Sequence, residues 1–306
     1  MAFRKIAIAG LEIAAHANRR GAGLSLAFGG PLWHRFAGWL RGRRSLPESG
    51  PLQSGPPPSG AAIRVPVGAL ADQVAQTTWY HTIDLGQGLQ TPGQFDHQPL
   101  LPHYRLPDSV AGLRVLDVAT FDGFWAFEFE RRGAAEVVAL DLDKPVQLDF
   151  PPKLLATATA QDHEKKFGRG FEIASAALGS KVRRVTCSVY DLGPDRYGMF
   201  DVVHAGDFLI HLHSPVRALQ NIASVCSGYA LISDVYSPEL DRPGAGLLME
   251  YRGGAQDVSW WKFSLETLEQ MILDAGFSRV ERLARFRYGP RGAPQNMHHV
   301  VFKAIK

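Results

Sequence analysis

The chain has 306 residues, 45% of them hydrophobic and 21% charged, which marks a globular protein with a substantial core in one large domain or two small ones. The net charge of +3 hides an asymmetry: residues 1–65 carry nine Lys/Arg against two acids, +7, leaving −4 on the remainder. A body of that sign argues against a broad nucleic-acid footprint, and two cysteines, Cys187 and Cys226, in apolar segments read as reduced core residues of a cytoplasmic protein rather than a zinc site.

Residues 1–44 are Arg-rich and nearly free of acids. The apolar run Leu24 to Leu40 is broken by Gly29-Gly30-Pro31, His34 and Arg35, too interrupted to span a membrane. No signal-peptide cleavage pattern follows. A basic, loosely ordered N-terminal arm is expected, with a membrane-surface or partner-binding arm as the other reading. Residues 45–65, rich in Pro, Gly and Ser, form a linker.

Residues 66–108 are expected to lie on the substrate side. Val67 to Thr78 reads as a helix, and Trp79-Tyr80-His81-Thr82-Ile83-Asp84 then runs into a loop with Gly86, Gly88 and Thr91-Pro92-Gly93. Two aromatics and a histidine beside such a loop have the composition of a lid. From residue 109 onward strands alternate with helices. An apolar strand, Leu113 to Val118, enters a turn at Gly123, a helix begins at Trp125, and a second strand, Glu136 to Leu140, ends in Asp141. Strand, turn, helix, strand and acid open a nucleotide-binding βαβ unit. Turn amides at the helix start can receive a polar group, and a carboxylate in the place of Asp141, 24 positions after Asp117, can accept from ribose hydroxyls. The glycines of a dinucleotide fingerprint are missing: Ala119, Phe121 and Gly123 occupy the alternate positions.

Further along, Phe171, Ala174, Ala177 and Leu178 make a helical core stripe. Val182 to Val189 is a third strand, ending in Tyr190-Asp191, where a carboxylate can accept from an adenine amine. Phe200 to Gly206 and Tyr229 to Val235 are strands, separated by a helix from Ser214-Pro215 to about Cys226. A second capped helix runs from Ser264 to Ala275 and is closed by Gly276. Phe277 to Arg285 and His299 to Ala304 complete seven strands. The expected fold is α/β, a doubly wound Rossmann-like seven-stranded sheet with an N-terminal helical lid. His211, His213 and, from the lid, His81 sit where loops surround a ligand, and one of them could take a proton. Asp207 and Asp234 end adjacent strands, but two carboxylates are too few to define a metal site.

Taken together, Trp79 to Asp84, the Asp117 turn, Phe200-Asp201-Val202-Val203 with His211 to Pro215, and Trp260-Trp261 with Ala275-Gly276-Phe277 resemble class I S-adenosylmethionine (SAM) methyltransferases, in particular the group labelled wobble-uridine tRNA methyltransferase-like. The resemblance covers residues 66–306 and implies a SAM-binding domain over 109–306. It implies that Asp117 and Gly123, with Ala119 and Phe121 in the same turn, line the methionine part of SAM. Asp141 would hold the ribose, Leu142 would lie against the adenine, Asp191 would face its amine, and Tyr190 is a further cofactor-binding candidate. Gly206, Asp207 and Phe208 would flank the sulfonium. The lead expectation is methyl transfer to a small-molecule hydroxyl in biosynthesis, with His211 or His81 as the base. A tRNA wobble-uridine enzyme using the basic arm for phosphate contacts is the alternative. A SAM-binding protein without catalysis is a third reading, motivated by Ala119 and Phe121. A nicotinamide dehydrogenase is disfavoured by the missing glycines.

Overall fold

The computed structural model describes residues 6–8, 11–18, 21–26, 67–253 and 258–306. Within the segment expected as an arm, β1 (Ile6–Ile8), β2 (Leu11–Asn18) and β3 (Gly21–Leu26) pair as an antiparallel meander. The remainder of the arm and the 45–65 linker lie outside the described residues.

Helix α1 (Val67–Gln76) leads into the lid. The main sheet is built from β4 (Arg114–Val118), β5 (Glu136–Asp141), β6 (Arg183–Thr186), β7 (Phe200–Gly206), β8 (Cys226–Val235), β11 (Arg279–Tyr288) and β12 (Met297–Ile305). Its strand order is β6-β5-β4-β7-β8-β12-β11. The first five in that order are parallel to their neighbours, and β12 runs antiparallel to both β8 and β11. The near-continuous apolar runs of β4, β5 and β7 are what a sheet covered on both faces requires. The order reverses between β4 and β7, and such a switch point leaves a crevice beyond the carboxyl ends of those strands.

Strand alternation sorts the side chains into two cores. Leu116, Val118, Val138, Leu140 and Val203 pack under α4 (Pro215–Val225) and α5 (Leu265–Asp274). Val115, Val137, Ala139 and Val202 pack under α2 (Phe124–Arg131), α3 (Arg169–Leu178) and the lid residues Trp79, Ile83 and Tyr104.

Several boundaries differ from the pattern reading. The third strand stops at Thr186, because the Ser188 hydroxyl accepts from the Tyr190 amide (3.2 Å) and caps a helical turn there. The α3 stripe is shorter than expected: Phe171 and Ala174 are buried, but Leu178 is 40% exposed. Trp261–Phe263 (β10) pairs with Met249–Tyr251 (β9) as a two-stranded hairpin that the pattern did not announce. The Ser264 cap is as expected, its hydroxyl accepting from the Thr267 amide at 3.2 Å.

Candidate active site

The turn after β4 keeps a glycine backbone without the glycines. Ala119, Phe121 and Gly123 all have positive φ, at 59°, 55° and 94°. Left-handed backbone is costly for a residue with a Cβ. At Gly123 a side chain is also sterically forbidden, since a Cβ there would lie 2.5 Å from the Phe127 ring and 2.7 Å from that of Phe171. The half-buried Phe121 ring lies 5.1 Å from that of Tyr80, in the lid, and 5.5 Å from that of Phe167.

Asp117 and Asp141 project from the same sheet face, the one that carries Val115, Val137 and Ala139. Asp141 accepts from the Phe121 amide (2.6 Å) and the Leu142 amide (2.7 Å). Burial pushes its pKa up to about 6, against the pull of those two amides. Each oxygen keeps capacity for a further donor. Asp117 is 0% exposed: one oxygen accepts from His204 Nδ1 at 2.8 Å, and the other has no partner among the described residues. Asp117 is thus enclosed, with one buried carboxylate oxygen to spare.

Asp122, between Phe121 and Gly123, fastens the lid to this turn. One oxygen accepts from the backbone amides of Tyr80 (2.8 Å) and His81 (2.9 Å), while the other bonds His81 Nδ1. The lid backbone behind His81 is held in turn by Thr91, whose hydroxyl accepts from the Ile83 amide and donates to the His81 carbonyl, at 2.8 and 2.7 Å. Gly93 is required at this crossing, because a Cβ would fall 2.0 Å from the His81 carbonyl carbon. From the far edge of the sheet, the Arg291 amide donates to Gln94 at 2.8 Å. His81 is buried, stacked on Phe124 with ring centroids 5.4 Å apart and edge-on to Tyr80 at 4.8 Å.

A second polar group lies at the ends of β7, β8 and β12. Asp207, at φ 56°, bonds His299 Nε2. Burial raises its carboxyl pKa, but the charge and hydrogen bond of His299 outweigh burial and hold it below the ordinary range. Its neighbour Asp234 accepts from the Leu209 and Val235 amides, both at 2.7 Å; burial and then the charge of Asp207 push its pKa up to about 8. Tyr80 feels Asp207, Asp122 and Asp234 together, and with burial they hold its phenol far above the usual range. His97, fully buried with Nδ1 3.1 Å from the Tyr104 hydroxyl, is kept neutral by burial and by the nearby histidines. Gly206 lies beside His204 and the Ser233 hydroxyl, each of which a Cβ would approach to 3.1 Å.

The structure thus brings His81, Ala119, Phe121, Gly123, Asp117, Asp141 and Leu142 to one end of the sheet, with Gly206 and Asp207 on the next strand. Tyr190, His211 and Asp191 stand further along. The Tyr190 hydroxyl donates to Asp149 (2.5 Å) and accepts from the Ser214 amide (3.0 Å), and the Arg217 guanidinium lies over its ring at 5.4 Å. Asp191 is exposed. His211 is half-buried, its Nδ1 3.0 Å from the Val258 carbonyl, while His213 is exposed against Trp260. Asp122, His97, His204 and His299 escaped the sequence reading. A histidine inside an apolar strand reads as core; a signal lay only in Asp122, an acid within the turn itself. Among the described residues no group of three or more His, Cys, Asp or Glu is placed to hold a metal ion.

A seven-stranded sheet of this order, with one antiparallel strand and acids at the ends of β4 and β5, defines a Rossmann-like methyltransferase fold. Residues 97–282 match the methyltransferase-domain family, more than half of the chain, and the chain belongs to that family. It is a methyltransferase whose methyl donor is SAM. The match is to the domain at large and does not reach the narrower wobble-uridine group. The N-terminal domain of EvdMO1 has a similar fold in two solved structures. One, with S-adenosylhomocysteine bound, has a TM-score of 0.55 at 16% identity over 80% of this chain and 99% of that one. The other, in the presence of S-adenosylhomocysteine and D-fucose, has a TM-score of 0.54 at 16% identity over 78% and 95%. No curated protein matches the chain in sequence. No helix among the described residues is long and apolar enough to cross a membrane.

Proposed function

We propose that the enzyme methylates a hydroxyl oxygen of a small molecule. The observation that carries this reading is the clamped lid: Asp122 holds His81 and an aromatic wall of Tyr80, Phe95 and Phe124 against the turn at the strand ends. An enclosed aromatic site of this kind suits a small, partly apolar acceptor better than a polynucleotide.

The residues fit SAM. Asp141 has acceptor capacity for both ribose hydroxyls, and the unpartnered oxygen of Asp117 suits the ammonium of the methionine part. The Ala119-Phe121-Gly123 turn would wrap that part, Leu142 and the Tyr190 ring would border the adenine, and Asp191 would face its amine. Gly206 and Asp207 would stand beside the sulfonium. SAM supplies an electrophilic methyl group; the protein supplies orientation and a base. His81 is that base: its Nδ1 is occupied by Asp122, which leaves Nε2 to take the hydroxyl proton. His211 is the second candidate for that role.

Calorimetry with SAM, followed by turnover on a panel of hydroxylated acceptors, tests the reading. Donor binding without turnover on any acceptor would favour a non-catalytic SAM binder. Turnover on tRNA that is lost with residues 1–60 and falls steeply with salt would replace the small molecule by RNA.

A further inference from the structure

Asp122 belongs to the donor-binding turn, yet its carboxylate is spent on the lid. Three N–H groups converge on it across about 40 residues of sequence: the amides of Tyr80 and His81 and the His81 ring. A strut would need only the amides. The third bond selects one imidazole tautomer, because a carboxylate that faces Nδ1 keeps the proton there and leaves Nε2 bare. The surroundings leave the ring little freedom. Phe124 stacks on it and Tyr80 meets its edge. Helix α3 closes behind, with a Cβ at Gly170 falling 3.2 Å from Asp122 Cβ and 3.3 Å from the Trp79 ring.

We propose that Asp122 is a positioning residue for methyl transfer. It fixes the tautomer and the aim of His81, and it couples that aim to the turn that grips the donor. This rests on the reading of His81 as base. In the transfer, the acceptor oxygen forms a bond to the methyl carbon as the carbon–sulfur bond breaks, with the electron pair passing to sulfur. The hydroxyl proton goes to His81 Nε2, and the imidazolium so formed is stabilised through Nδ1–H by the Asp122 carboxylate. The proton then passes from the imidazolium to solvent.

The test uses the full chain as wild type, Asp122→Asn, His81→Gln and the double variant. Imidazole nitrogen chemical shifts of labelled protein read the tautomer without turnover; calorimetry reads donor affinity; steady-state kinetics separate kcat from KM. The amide oxygen of Asn can still accept from the backbone, but its NH₂ favours the opposite tautomer. Asp122→Asn should move His81 to the Nε2–H form and lower kcat by about 10²- to 10⁴-fold, with donor affinity within about threefold of wild type. The double variant should be no slower than His81→Gln, as expected of groups that act as one unit. An unchanged tautomer, or a loss in donor affinity that accounts for the whole loss in activity, would reduce Asp122 to a strut. Should His81→Gln keep full kcat while Asp122→Asn still switches the tautomer, the base assignment fails and the orienting bond stands.

Discussion

Replacing Ala119 by glycine should make this protein more stable, against the usual direction of Ala→Gly. Ala119 sits at φ 59°, where an L residue carries roughly 1–2 kcal/mol of steric cost. Glycine removes that cost but gives back about 0.4–1 kcal/mol by widening the unfolded ensemble. The half-buried Ala119 methyl contributes only a small packing loss. The net expectation is a gain of about 0.5–1 kcal/mol, or roughly 1–4 °C in melting temperature for a domain of this size. Phe121→Gly is the internal control. It relieves similar backbone strain at φ 55° but deletes a half-buried ring that lies against Tyr80 and Phe167, a loss of at most about 1.5–3 kcal/mol, so it should melt below Ala119→Gly. Scanning calorimetry of the three proteins at one pH is sufficient. A lower melting temperature for Ala119→Gly would refute the argument that this turn stores strain at Ala119.

Donor affinity should weaken as pH falls below about 6, because protonation takes the charge from the acceptor proposed for the ribose, Asp141; Asp141→Asn should bind about 10- to 100-fold more weakly and show no such pH dependence in calorimetry. Asp234 should tilt the stability profile. With its folded pKa up at about 8 and the unfolded value near 4, the folded state holds the extra proton between those limits. Its contribution is therefore fully present at acid pH and is lost as pH rises through 8. Asp234→Asn should flatten that slope in urea unfolding between pH 5 and 9, and an unchanged slope would remove Asp234 as its source. Gly93→Ala, whose Cβ would meet the His81 backbone at 2.0 Å, should displace the lid and abolish turnover, with a stability loss of about 3 kcal/mol or more by denaturant titration.

The strand-turn-helix at Asp117 was legible because local chemistry writes it: an apolar run, a glycine with no room for a side chain, and an acid where the next strand stops. The sheet followed from repetition of that pattern. What pattern could not see was pairing at a distance. The bonds of His81 to Asp122, Asp117 to His204 and Asp207 to His299 join residues 41, 87 and 92 positions apart. Nothing in the local spacing of a histidine inside an apolar strand announces such a partner. The β9–β10 hairpin was missed for a related reason: Met249–Tyr251 is three residues long and two of the three are exposed, so it has no alternation to read. Tyr190 and Asp191 follow the third strand in a helical turn rather than at the strand's end, and the sequence did not disclose that Asp149 and Ser214 engage the phenol.

The bonds from Arg291 to the lid carry a consequence for how the chain is made. Thr82, which accepts from the Arg291 side chain at 3.3 Å, precedes it by 209 residues. At ribosomal speeds of about 5–20 residues per second, roughly 10–40 s separate the emergence of the two. Asp122 follows His81 by 41 residues, about 2–8 s, so the turn can receive Trp79, Tyr80 and His81 well before the sheet edge that carries Arg291 is made. The lid contacts made by Arg291 thus wait for the connection between β11 and β12.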